Sequence, residues 1–259
     1  TLKEITNEMV ENTIDKYIQQ DINPIDITCL DFASGTGRFY FEAIEILKQK
    51  YNLTLHQIVC NNLFAIDIDE TALSILRCKV ISLFDEINTE IINALSINII
   101  NRNALIPKAT LLSEHENSID FSFDFKTVFA KGGFDVVFSN PPYCLLKVNK
   151  KADEQQKLNG YYINLQSKVL NEINYFRTRG IYRYSIEGML NYYQLSIEMI
   201  LHLTKTNGQI GIICPSSLFA DLTSAKLRKH ILTSHKIHFI RYYPESARLF
   251  ENVSQSTVI

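Results

Sequence analysis

The sequence predicts an α/β fold on a mostly parallel sheet with helices on both faces. Three observations carry this. Short apolar runs alternate with longer segments of helical periodicity along the chain. The runs stop in turn residues: Ser34-Gly35-Thr36-Gly37 after the first, Asn140-Pro141-Pro142 after the fourth, Pro215 after the fifth. Residues 134–138 form a near-continuous apolar run, the mark of a strand buried on both faces.

Residues 6–20 place Met9, Val10, Ile14, Tyr17 and Ile18 near helical spacing, so an amphipathic helix opens the fold. Residues 27–33 give the first strand, and a helix follows from 38 to about 49. A second strand at 62–68 leads into one long helix at 70–94, then a third strand at 97–100 and Asn101-Arg102-Asn103. The fourth strand is 134–138. Residues 147–185 read as a polar, tyrosine-rich insertion without clear periodicity. A helix at 188–204, a fifth strand at 208–214, a helix at 223–232 and a sixth strand at 236–243 complete the pattern. Residues 257–259 begin a seventh strand, cut short by the end of the chain. Right-handed crossovers put the ends of strands one, two and four on a common rim.

Composition narrows the classes. The 259 residues, 46% apolar and 21% charged, suffice for a buried core and for one large domain or one domain with an appendage. No apolar stretch has the length of a membrane span, and residues 1–20 lack the layout of a signal peptide. Five cysteines stand singly, none in C-x-x-C spacing, so no metal site is expected and a reduced cytoplasmic setting is. His230, His235 and His238 lack a companion ligand set. A net charge of −2 argues against a self-sufficient nucleic-acid binder. The chain opens at Thr1 and ends as a strand begins, so it is expected to be an internal piece of a longer polypeptide.

Three motifs fall on the rim. Asp31-Phe32-Ala33-Ser34-Gly35-Thr36-Gly37 is a strand, a glycine turn and a helix start, where backbone can approach a ligand and Asp31 can accept from a cationic amine. A plain turn needing glycine explains it equally well. Asp67 and Ile68 end the second strand: the carboxylate can accept ribose hydroxyls and Ile68 can pack on a base, while Asp69 reads as a helix cap. Asn140-Pro141-Pro142-Tyr143 is the strongest signal. A side-chain amide and a proline carbonyl can accept both hydrogens of one amino group, with the Tyr143 ring flat against its bearer. Cys144 reads as a packing residue. Lys147, Lys150 and Lys151, with Arg177, Arg179 and Arg183, are candidate phosphate contacts. Lys226, Arg228, Lys229 and His230 read as a solvated face.

Glycine loop, acidic strand end and N-P-P-Y, in that order, resemble the S-adenosylmethionine-dependent DNA methyltransferases, specifically the gamma-ordered N6-adenine enzymes of restriction–modification systems, TaqI-like or type IIG-like. Asn191-Tyr192-Tyr193, Asn207-Gly208-Gln209, Pro215-Ser216-Ser217 and Phe250-Glu251-Asn252-Val253 echo the same family. The resemblance implies a seven-stranded, mostly parallel Rossmann-like sheet of the class I methyltransferases, its last strand antiparallel and truncated. It implies S-adenosylmethionine held by Thr1, Asp31, Ala33, Gly35, Gly37, Asp67, Ile68, Asn103 and Asn140. Asn103 stands where the family usually has Asp. Asn140 and Pro141 would bind the 6-amino group of a flipped-out adenine, and Tyr143 would stack on the base. Double-stranded DNA is the implied partner, with a target-recognition region or specificity subunit beyond residue 259; whether the parent chain also carries a nuclease domain is left open by the sequence. Alternatives are N4-cytosine DNA methylation, methylation of a release-factor glutamine amide, and a non-catalytic cofactor-binding subunit.

Overall fold

The computed structural model describes residues 3–108, 117–147, 159–247 and 255–259, with side chains of the third stretch from 166 onward. Ten strands are described: β1 Cys29–Phe32, β2 Leu63–Asp67, β3 Ile99–Asn101, β4 Asn103–Pro107, β5 Ser118–Ile119, β6 Phe134–Ser139, β7 Thr204–Ile212, β8 Cys214–Pro215, β9 Tyr242–Tyr243 and β10 Thr257–Val258. The main helices are α1 Lys3–Ile18, α2 Arg38–Tyr51, α3 Glu70–Ile81, α4 Thr89–Asn98, α5 Asn159–Thr178, α6 Tyr192–Leu203 and α7 Ala225–Ser234.

The central sheet runs β3-β2-β1-β6-β7, every pair parallel. These are the five strands the apolar runs predict. Strand β1 has β2 on one side and β6 on the other, so chain direction across the sheet reverses between β1 and β6. A crevice opens at the carboxyl ends of strands at such a reversal. One core cluster packs α1, α2 and α3 onto one face, and a second packs α6 and the end of α5 onto the other. At the opposite rim, buried Asp135 accepts from the Thr28 amide (2.7 Å) and hydroxyl (2.8 Å), from the Tyr17 hydroxyl, and pairs with Lys205. That network ties α1 to the foot of the sheet.

Four expectations change. Among the described residues the central sheet has five strands rather than seven: β8, β10 and β9 form a separate antiparallel set in that order. Pro215 cannot donate to a continuing ladder, and the predicted strand at 236–243 pairs only near its end. The antiparallel sense of the last strand holds. The single helix at 70–94 is two, because the Asn88 side chain accepts from the Ile91 amide (2.9 Å) and starts a new helix. The insertion at 147–185 contains the 20-residue helix α5, whose Tyr175 and Phe176 are buried. Val169, Ile173 and Phe176 stand at i, i+4 and i+7, a helical signal hidden among polar neighbours.

Candidate functional site

The glycine turn after β1 is built for close approach. Ala33 holds a left-handed backbone (φ 57°), sparsely populated for a residue with a Cβ and concentrated at functional sites. Gly37 (φ 83°) starts α2, and a Cβ there would lie 2.4 Å from Leu76 Cδ1. The turn is fixed from across the sheet. The Ser34 amide donates to the Ile66 carbonyl (3.2 Å), and the Gly35 amide donates to the Asp67 carboxylate (2.7 Å). The second Asp67 oxygen accepts from the Asp69 amide (2.9 Å). Asp69 itself caps α3 through the Thr71 and Ala72 amides, as the sequence implies. Asn101 donates its side-chain amide to the carbonyls of Asp67 and Ile68, bracing the β2 end from β3.

On β6, the Ser139 hydroxyl donates to the Phe32 carbonyl (2.8 Å), locking the two strand ends across the reversal. Asn140 follows at the crevice. Its side-chain oxygen accepts from the Tyr143 hydroxyl (2.5 Å), which also points at the Ile213 carbonyl (3.2 Å). The Tyr143 ring meets Tyr193 edge-on, with centroids 6.4 Å apart, and burial, then the neighbouring Cys214, pushes its hydroxyl pKa up.

A cavity of about 860 Å³ lies over this rim. Ala33, Asp67, Ile68, Asn103 and Asn140, five of the expected residues, line it together. Among the described residues, Asp31, Gly35, Gly37, Pro141 and Tyr143 adjoin it in sequence but are not on its walls. Thr1 lies outside the described residues, as do Lys150 and Lys151. The Asn103 oxygen accepts from the Leu105 amide (3.0 Å).

Asp31 is 2% exposed; one oxygen accepts from the Tyr40 amide (3.0 Å) and the other is buried without a partner. Burial raises its pKa from 3.8 to about 8; the Tyr40 amide opposes the shift and nearby Asp67 adds to it. A cation reaching that orphan oxygen would relieve the cost.

The sequence reading missed the outer wall. Lys168, Asn171 and Glu172 from α5 and Tyr192 and Ser196 from α6 also line the cavity. Tyr192 donates to Glu172 (3.0 Å), and Tyr175 anchors α5 to the Pro107 carbonyl (2.8 Å). The spacing within α5 was the available signal. Cys144 is not a packing residue: it is exposed on the cavity wall. Cys214, by contrast, is buried, with its thiol pushed up to about 12 by burial. Of the basic groups, Arg177 donates to the Gly188 carbonyl (2.7 Å) and Arg228 to those of Leu218 (2.9 Å) and Asp221 (3.0 Å). Lys226 pairs with Glu187, and His230 stacks on Tyr184 with centroids 3.9 Å apart. No described helix is long and apolar enough to cross a membrane.

Known proteins share this architecture. The DrdV–DNA complex superposes with a TM-score of 0.64 at 14% identity, over all of this chain and 26% of that one. A Listeria monocytogenes protein assigned to the class I S-adenosylmethionine-dependent methyltransferases gives 0.55 at 18% identity, over 97% of this chain and 57% of that one. The type II restriction enzyme and methyltransferase RM.Eco57I of Escherichia coli is 22% identical over 261 residues, covering 88% of this chain. The chain spans only 24% of that curated relative's length. The model of the Eco57I restriction-modification methylase family matches residues 61–250, from the start of β2 through the N-P-P-Y strand end and past β9. The chain therefore belongs to the Eco57I restriction-modification methylase family.

Proposed function

We propose that this chain transfers a methyl group from S-adenosylmethionine to the exocyclic 6-amino group of a flipped-out adenine in DNA, within a restriction–modification system. The observation that carries the reading is the meeting of Asn140 with Ala33, Asp67, Ile68 and Asn103 on one cavity at the sheet's reversal point.

The residues fit the cofactor. Ile68, 60% exposed, offers an apolar face to a purine. A carboxylate has about four acceptor sites, so Asp67 can serve a ribose while holding the Gly35 and Asp69 amides. A Cβ built on Gly35 would meet nothing within 4 Å, so its backbone is open to approach. The orphan Asp31 oxygen suits the positively charged methionine end. Asn103 can still accept through its second lone pair, though it lacks the charge that the resembled enzymes carry there.

The cofactor supplies an electrophilic methyl group on a sulfonium sulfur. The adenine amine is a poor nucleophile because its lone pair is delocalised into the ring. The Asn140 oxygen and the Pro141 carbonyl accept its two hydrogens and favour a tetrahedral nitrogen. Their dipoles stabilise the positive charge that develops there. Forming the nitrogen–carbon bond would leave the sulfur–carbon electron pair on sulfur, and the amine would release one proton to solvent. Tyr143 leaves its edge-on packing to stack on the flipped base, repaying part of the unstacking. Exposed Lys147, Arg179 and Arg183 are the candidate phosphate contacts. Sequence reading of the DNA falls to a recognition region or specificity subunit outside this chain, and any nuclease to the parent protein.

Incubating the full-length protein with methyl-labelled cofactor and DNA, then digesting to nucleosides, tests the reading. Label on N6-methyladenine is expected. Label on N4-methylcytosine, on protein, or nowhere would replace it by cytosine methylation, amide methylation, or a binding-only subunit.

A further inference from the structure

Away from the cavity, three potential metal ligands converge from separate segments. His56 lies in the one-turn helix Leu55–Gln57, Cys60 in the π-turn Ile58–Asn62, and Glu90 in the first turn of α4. The His56 Nε2 is 3.1 Å from Glu90 Oε2 and 3.8 Å from Cys60 Sγ, and all three ligand atoms lie within 4.8 Å of one another. A tetrahedral Zn²⁺ with bonds of about 2.0–2.1 Å to nitrogen and oxygen and about 2.3 Å to sulfur has nitrogen–oxygen edges of about 3.3 Å and nitrogen–sulfur edges of about 3.6 Å. The two measured separations match these edges to within about 0.2 Å.

We infer that His56, Cys60 and Glu90 form a binding site for Zn²⁺ or a similar borderline-soft divalent ion, completed by one water. The residue set excludes the hard ions, since imidazole and thiolate favour zinc-type metals over magnesium or calcium. The frame is fixed before any ion arrives. The Thr54 side chain caps the His56 turn by accepting from the Gln57 amide (3.2 Å), and Gln57 accepts in return from the Thr54 amide (3.0 Å). The Asn98 side chain donates to the carbonyls of Val59 (3.1 Å) and Cys60 (3.2 Å), binding the far end of α4 to the turn that carries the cysteine. A π-turn inside a helical segment frequently marks a functional position. His56 and Cys60 are only half-buried and Glu90 is exposed, so an ion can enter.

Binding is balanced by protons: the Cys60 thiol loses its proton to become the ligand, and His56 binds as neutral imidazole. The role is a clamp between the segment entering β2 and the helix entering β3, the two strands whose far ends carry Asp67 and Asn101. It is independent of the proposed methyl transfer. The competing account is a surface His56–Glu90 ion pair with a thiol beside it.

Cobalt(II) titration of the metal-free chain decides between them. The expected result is one equivalent bound, with a thiolate-to-cobalt charge-transfer band and the visible bands of a tetrahedral ion, both displaced by zinc. Cys60→Ser should abolish the charge-transfer band while Cys78→Ser and Cys144→Ser keep it. Glu90→Gln, at an exposed position, should weaken binding at least about tenfold, a loss seen even for outer-shell changes at metal sites, with an unchanged metal-free unfolding midpoint. Absence of the band, its survival in Cys60→Ser, or unaltered affinity in Glu90→Gln overturns the site.

Discussion

Asp31 keeps one carboxyl oxygen on the Tyr40 amide and the other buried without a partner. Its raised folded-state pKa reverses the usual carboxylate linkage. As pH rises above the ordinary 3.8, the unfolded chain releases this proton while the folded chain holds it. Asp31 therefore lowers stability progressively until pH reaches about 8, where the penalty levels off. Denaturant titrations across this range should show Asp31→Asn lacking that decline and exceeding the parent chain in stability at the alkaline end. On the proposed function, cofactor binding ionises Asp31, so parent affinity should rise with pH up to about 8 and Asp31→Asn should lose that rise, read by calorimetry. Asn140 makes the opposite kind of residue. Its substitution touches the reacting nitrogen and little of the core, so Asn140→Ala should cut methyl transfer by about 10²-fold or more, with cofactor affinity nearly unchanged. Retained turnover in that variant would remove the assignment. Both residues were legible in the sequence, because a strand end followed by glycines or prolines fixes where a side chain emerges. The orphan oxygen was not, since it depends on what the fold leaves undone around Asp31.

At the level of elements, the packing of α1 on β7 is unusually close. A Cβ on Gly211 would lie 2.6 Å from Thr13 Oγ1 and 3.0 Å from Met9 Cγ. Gly211→Ala should therefore destabilise the chain by about 1–3 kcal/mol, the ordinary cost of overpacking, seen as a lower denaturation midpoint with unchanged cofactor stoichiometry. Helix α1 itself was readable, since Met9, Val10, Ile14 and Tyr17 are all buried at the spacing the sequence shows. The break between α3 and α4 was missed because apolar periodicity continues through it while the Asn88 cap interrupts the backbone. Helix α5 was missed for the converse reason: its periodic residues occupy only the last turns. The predicted strand at 236–243 failed because apolar content alone does not supply a partner. Ile237, Phe239 and Ile240 are 37–49% exposed, and only Tyr242 and Tyr243 pair within a strand.

Across the whole molecule, stability is unevenly spread. Strands β1 and β6 are buried along their full length and bonded on both sides, whereas residues 236–240 carry no strand pairing. Hydrogen exchange should leave the amides of β1 and β6 protected to near the global unfolding limit, with residues 236–240 exchanging within the earliest time points. Uniform protection through 236–240 would contradict this division. The sheet order explains why the cavity was half legible: its floor comes from strand ends that motifs announce, and its outer wall from helices that announce nothing about their reach. The grip of Asp67 on the Gly35 amide bears on thermodynamics of a different kind. The carboxylate that faces the cavity already holds the glycine turn in its left-handed shape, so the conformational entropy of that loop is lost during folding. A ligand arriving there meets a rigid receptor. Its association should be governed by desolvation, with a negative heat-capacity change set by the apolar walls and little signature of loop ordering.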